Sequence, residues 1–285
     1  MYETPLIFGH ESHLVGLLAR PDAGTGVPLK PRPGVLFLNA GLEHRIGPRG
    51  LNTAFARAIA DAGYPTLRFD YAGTGESRKP QQPLAVDRAE ELVIECRAAI
   101  DKMARLAGCE SVVLIGLCSG ADDAHRVALA EPRVVGMVQI DGHAATTPGF
   151  VWRYYARRVA SPRRWANFAQ RMSRRDGPPK SAIDGVDFFK MPERSVLAAD
   201  LAGLVERDVR LFYIYSGATH GYYNHAGQLR RALADVHLGD ALTEHYLPSA
   251  DHTFSRNAER MQLFVHVIDW LAAHWPAAAA GMRYG

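Results

Sequence analysis

Five consecutive residues, Gly116-Leu117-Cys118-Ser119-Gly120, place a nucleophilic side chain between the small neighbours it would need. They follow a strand-length apolar run at 111–115 and open a helical stretch, ADDAHRVALA. A sharp strand-to-helix turn forces its central residue into a strained backbone and lifts the side chain clear, so only small residues fit two before and two after it. Cys118 is therefore a candidate nucleophile, and at a helix N-terminus the dipole favours its thiolate. The plainer reading is a small buried hydrophobe beside a glycine-rich turn. The strand before it and the helix after it favour the catalytic one. Ser119 has the right chemistry but the wrong spacing. It falls just after the nucleophile, where its N–H would face an oxyanion, and Ser119-x-x-Asp122 has the spacing of a capping box. Cys96, mid-helix, and Cys109, at a helix-to-strand turn, read as structural.

The elements that must position Cys118 are legible as alternating periodicities. Short β-branched runs at 35–38, 65–69, 111–115, 134–140 and 209–215 each end in Gly, Asn, Asp or Ser, and a further strand is expected at 242–247. Between them, 51–62 places Leu51, Phe55, Ile59 and Ala62 on one helical face. Residues 87–107 form a long helix closed by Gly108, and 256–275 a last helix. Such alternation builds a mostly parallel central sheet with helices on both faces, an α/β class. Residues 9–20 are expected to add an antiparallel hairpin. Residues 142–205 contain no convincing strand and read as an inserted helical cap, leaving 1–141 and 206–285 as the core.

Composition excludes several classes. The chain has 285 residues, 47% hydrophobic and 22% charged, which argues for a large core and against disorder. A net charge of +3 makes no strong case for nucleic acid. Three cysteines argue against a disulfide framework and fit a reducing, cytoplasmic setting. The first residues lack a secretory signal pattern, and no apolar run approaches the ~20 residues of a membrane span.

Three further segments, in chain order, make the sequence resemble the α/β-hydrolase superfamily. Asn39-Ala40-Gly41-Leu42 resembles its oxyanion loop, and Asp70-Tyr71-Ala72-Gly73-Thr74-Gly75-Glu76-Ser77 its D-x-x-G-x-G-x-S turn. Ala250-Asp251-His252-Thr253-Phe254 resembles its catalytic-histidine loop. Cysteine in place of serine is similar to the dienelactone hydrolase branch. NAGLEHRIGP and GLCSGA look closer to hydrolases associated with exosortase or exopolysaccharide gene clusters.

The resemblance implies an α/β-hydrolase fold with His252 as general base, reaching Cys118 from a late loop. Asp251 beside it reads as a loop anchor. The family usually carries its acid after the strand that here is 209–215, yet residues 216–225 contain no carboxylate. The substitutes are Asp141, after the strand 134–140, and Asn224, which would give a Cys-His-Asn set. The oxyanion donors implied are the N–H of Ser119 and that of Leu42 or Gly41. Arg45 is a candidate for binding a substrate carboxylate or phosphate, or else pairs with Glu43 or Glu76.

Residues 151–175 carry eight arginines and no acidic residue, with Trp152, Tyr155 and Trp165 among the interleaved aromatics. Aromatics facing the cleft, together with Tyr222, would form an acyl pocket. The arginines would suit an anionic carrier, such as an acyl carrier protein or a coenzyme A thioester, or form only a solvated basic face. Nucleic acid is disfavoured because no recognised module surrounds the stretch. His220 and His225 lack the companions a metal needs, so no metal and no cofactor are expected. The expected activity is ester or thioester hydrolysis through an acyl-Cys118 intermediate. Transfer to an alcohol or amine is the first alternative, and a non-catalytic ligand-binding protein is the alternative of another class. Oligomeric state is not legible.

Overall fold

The computed structural model describes residues 1–22, 32–159 and 191–276, without the side chains of 155–159. Eight strands form one sheet in the order β1-β2-β4-β3-β5-β6-β7-β8. These are β1 (Tyr2–Phe8), β2 (Leu14–Arg20), β3 (Gly34–Phe37), β4 (Thr66–Phe69), β5 (Val112–Leu117), β6 (Val134–Ile140), β7 (Arg210–Ser216) and β8 (Leu242–Leu247). From β4 to β8 every pairing is parallel, while β1 and β2 pair antiparallel and β2 runs antiparallel to β4. The initial hairpin is longer than 9–20. Its first strand is Tyr2–Phe8, and the chain reverses at Gly9, whose φ of 79° suits glycine.

Period-two alternation explains why the central strands read as unbroken apolar runs. Along β5, Val112 and Leu114 join one buried cluster, Val113 and Ile115 the other. In β7, Leu211, Tyr213 and Tyr215 face the first, Phe212 and Ile214 the second. Strands buried on both faces have no polar side to show. The first face is covered by α2 (Arg88–Ala107), α3 (Ser119–Ala130) and α5 (Arg194–Glu206). The second is covered by α1 (Leu51–Asp61) and α7 (Asn257–His274). Phe55 of α1 stacks on Phe264 of α7 at 4.5 Å, joining the two helices of that layer.

Helix ends follow local chemistry. Asp87 caps α2 by accepting the Glu90 N–H at 2.9 Å, and Gly108 closes it with φ 67°. Among the described residues, two helices, α4 (Pro148–Val159) and α5, lie between β6 and β7. Leu197, Leu201 and Leu204 of α5 are fully buried against the sheet, so α5 is the crossover helix that parallel strands require. Within 142–205 it therefore belongs to the layer covering the sheet. No described helix is long and apolar enough to cross a membrane.

Phe55→Ala should lower unfolding free energy by about 3–5 kcal/mol, read from urea denaturation, because the stacked pair leaves a cavity. Val265→Ala, at a position 50% exposed, should change it by less than about 0.5 kcal/mol.

Candidate active site

Cys118 is the residue between β5 and α3, with φ 56° and ψ −124°. That conformation is costly for a residue with a Cβ and is held from both sides. The Cys118 N–H donates to Ile140 O at 2.9 Å, and its carbonyl accepts the Ala121 N–H at 2.8 Å. The flanking glycines are there for contact. A Cβ at Gly116 would lie 1.9 Å from Gly120 O, and one at Gly120 would lie 2.7 Å from Asn39 O. The result is a half-exposed sulfur, whereas Cys96 and Cys109 are buried. Burial raises the Cys96 thiol well above its ordinary range and pushes Cys109 up to about 11.

His252 follows β8 and precedes α7, and its ring lies near enough to the Cys118 side chain to be influenced by it. Its Nδ1 lies 2.7 Å from Asp141 Oδ2. The hydrogen bond to Asp141 first, then the influence of Cys118, pushes His252 up to about 10 against the opposing effect of burial. Asp141 is fully buried at the end of β6, with φ 52°. Ser216, the last residue of β7, donates its N–H to Asp141 Oδ1 at 2.6 Å and its hydroxyl to Oδ2 at 2.7 Å. The strand end where an acid was expected thus supplies the donors for a carboxylate one strand away. Asn224 is elsewhere: it is buried, and its Nδ2 donates to Phe150 O at 3.0 Å. His252 Nδ1 faces Asp141 instead.

The loop after β3 departs from expectation at two residues. The Gly41 N–H donates to Ser119 Oγ at 2.6 Å, so it points at the elbow's hydroxyl rather than at an oxyanion. Ser119 Oγ is therefore a clasp between two loops; no side-chain capping bond forms at α3. Ser119 opens α3, where its N–H has no intrahelical acceptor. Arg45 is 12% exposed and pairs with both Asp70 and Glu76, while its N–H donates to Asp70 Oδ1 at 2.6 Å. Asp70 also accepts the Glu76 N–H at 3.0 Å, and a Cβ at Gly75 would lie 2.4 Å from its Oδ2. The D-x-x-G-x-G-x-S turn wraps a buried carboxylate, and Arg45 neutralises it rather than waiting for substrate.

Around the sulfur, Tyr222 donates its hydroxyl to Asp141 O at 2.9 Å. Burial first, then Asp141 and Cys118, raise its pKa. Trp152 is 72% exposed on α4, so it points to solvent; Phe150 is the buried aromatic there and stacks on Tyr154 at 5.7 Å. The Tyr155 side chain and Trp165 lie outside the described residues. Asp251 accepts from the Thr253 N–H at 2.9 Å and from the Ser255 side chain and N–H, which hold it down to about 2. It anchors the loop that carries His252. Sequence reasoning missed Ser216, for which only its place at a strand end is a signal. It also missed His143, whose Nε2 lies 2.6 Å from Asp122 Oδ1 and whose ring meets His125 at 5.0 Å. Among the described residues no group of three or more His, Cys, Asp or Glu is arranged to hold a metal.

No family model matches the chain, and no curated protein matches it in sequence. Solved structures do. A protein of unknown function from Agrobacterium tumefaciens, grouped with the alpha/beta hydrolases, is 14% identical with a TM-score of 0.58, covering 96% of each chain. The proline iminopeptidase of Mycobacterium smegmatis is 15% identical with a TM-score of 0.58, over 96% of this chain and 98% of its own. A lidless a/b serine hydrolase from Xanthomonas campestris is 16% identical with a TM-score of 0.53, over 96% and 95%. At such identities the likeness is one of fold.

Iodoacetamide at limiting ratio should label Cys118 and spare Cys96 and Cys109, as peptide mass spectrometry would show; equal labelling of all three contradicts the described burial. The His252 ring should titrate near pH 10 by NMR and move toward its ordinary value in Asp141→Asn. Because its folded pKa is raised, the stabilisation from this pair is complete below about pH 6.5 and lost as pH rises toward 10. The stability gap between wild type and Asp141→Asn should narrow across that interval.

Proposed function

We propose that this α/β-hydrolase-fold protein is an acyl hydrolase acting on esters or thioesters through a covalent intermediate on Cys118. One observation carries the reading: beside a cysteine raised on a strained turn stands a histidine whose Nδ1 is held by a buried carboxylate. With the thiol proton on the ring, the sulfur attacks the acyl carbonyl as a thiolate and the oxygen becomes an oxyanion. The N–H groups of Ser119 and Leu42 are the donors assigned to it. The His252 imidazolium then protonates the leaving group, and an acyl-cysteine remains. His252, now neutral, takes a proton from water, the resulting hydroxide attacks the thioester, and the acid product leaves with the sulfur restored. Asp141 keeps the ring oriented and stabilises its charge without taking the proton.

Against a purely ligand-binding protein stands the contact between Asp141 and His252, which a binding pocket has no need of. Arg45 is taken by Asp70 and Glu76, which leaves substrate anions to other cations. The basic stretch 151–175 fits an anionic acyl carrier. Of its arginine side chains only Arg153 is described, and it donates to Gly149 O at 3.1 Å. Transfer to a bound acceptor is the second reading, favoured by a cavity of about 880 Å³ beside Ser119 and Leu42.

Mixing the protein with p-nitrophenyl acetate and stopping in acid should yield an acetyl adduct on Cys118 by intact and peptide mass. Cys118→Ala should abolish both adduct and turnover, and His252→Ala should slow turnover by roughly 10²–10⁴-fold. Full turnover in Cys118→Ala removes this function.

A further inference from the structure

The cavity just mentioned lies on the α2 side of the elbow, and neither Cys118 nor His252 lines it. Its walls follow from helical periodicity. Ser119, Asp123 and Arg126 share one face of α3 at spacings of four and three, and Arg88, Glu91 and Leu92 share one face of α2. Gly41 and Leu42 close it on the oxyanion side, and Ala72, Pro80, Pro83 and Ala89 extend its apolar surface. At its base Tyr71 donates to Asp123 Oδ2 at 3.1 Å while accepting the Asn39 N–H at 3.1 Å, so the floor is tied to the strand end that carries the oxyanion loop. Burial pushes Asp123 up to about 6. The volume is within the range of small-molecule sites, and the groove is open to solvent along Leu42, Lys79 and Arg126.

The charge around it is uneven. Lys79, Arg88 and Arg126 face Glu91 and Asp123, an excess of one positive charge among the lining residues. Arg88 is already paired with Glu91 and with Glu95, both at 2.9 Å. Lys79 and Arg126 make no ion pair among the described residues. An apolar wall with one net cation suits an apolar body bearing a single carboxylate, and does not suit a phosphate dianion.

We infer that this cavity binds the non-acyl half of the substrate, an alcohol, thiol or amine whose apolar body ends in a carboxylate held by Lys79 and Arg126. The inference rests on the proposed acyl-Cys118 chemistry for the word substrate, because the shared residues Gly41, Leu42 and Ser119 set the occupant beside the oxyanion corner. Binding itself does not depend on turnover. If water is the final acceptor, the occupant is the departing half; if not, it is the acceptor.

Calorimetric titration of the full chain with 6-hydroxyhexanoate, hexane-1,6-diol and 6-hydroxyhexyl phosphate tests it. The carboxylate should bind about ten-fold more tightly than the diol, a gain expected for one or two charge-assisted contacts. That advantage should vanish in Lys79→Ala/Arg126→Ala and persist in Arg105→Ala, at the far end of α2. Ala89→Trp, which fills the apolar wall, should abolish binding of the carboxylate and of the diol. Equal affinity for carboxylate and diol, an advantage that survives the double variant, or tighter binding of the phosphate overturns the proposal. Since the readout is heat, an inactive enzyme would defeat the acyl-transfer reading and leave this site to be judged by its own titration.

Discussion

The backbone at Cys118 is the constraint on which the rest of the site depends. A residue with a Cβ occupies φ 56°, ψ −124° only when its surroundings hold it there. Here they do so by contact and by hydrogen bonding. β6 accepts its N–H through Ile140, the first turn of α3 donates to its carbonyl, and glycines at 116 and 120 let strand, helix and the Asn39 carbonyl close around the turn. Relaxing that backbone would lower the sulfur toward the sheet and separate it from His252. The large two-sided core is thus a mechanical support for one unfavourable pair of dihedrals.

The loops around the elbow are stabilised by buried charge and hydroxyl clasps rather than by their own apolar contacts. Asp70 gathers two backbone N–H groups and the Arg45 guanidinium, which also reaches Glu76. Ser119 Oγ ties the elbow to the Gly41 loop. A buried carboxylate needs such partners, since leaving one unpaired would cost several kcal/mol by the usual burial penalty. The same requirement explains Ser216. Its two donors satisfy Asp141 where water cannot reach, while His252 takes the remaining direction.

The ends of β6 and β7 lie side by side because the two strands are adjacent and parallel. What the ring requires is a carboxylate within bonding distance of Nδ1, and either neighbouring strand end can present one. Under the proposed function, a histidine held up to about 10 by its surroundings would enter the reaction as a proton donor at neutral pH.

Local sequence pattern was sufficient for the elbow, the central strands, the helices that cover both faces of the sheet near them and the chain order of Cys118 and His252, but not for the first strand of the initial hairpin. Each depends on periodicity, glycine placement or a cap within a few residues. It also kept Asp141 among the candidates for the acid, because a strand-end carboxylate is visible as such. Which of Asp141 and Asn224 meets the His252 ring, the pairing of Arg45 with Asp70, the engagement of Gly41 by Ser119 and the outward face of Trp152 are visible only in the tertiary structure. Those contacts join residues dozens of positions apart, and a hydrogen bond is selected by distance and direction, which one-dimensional spacing does not carry.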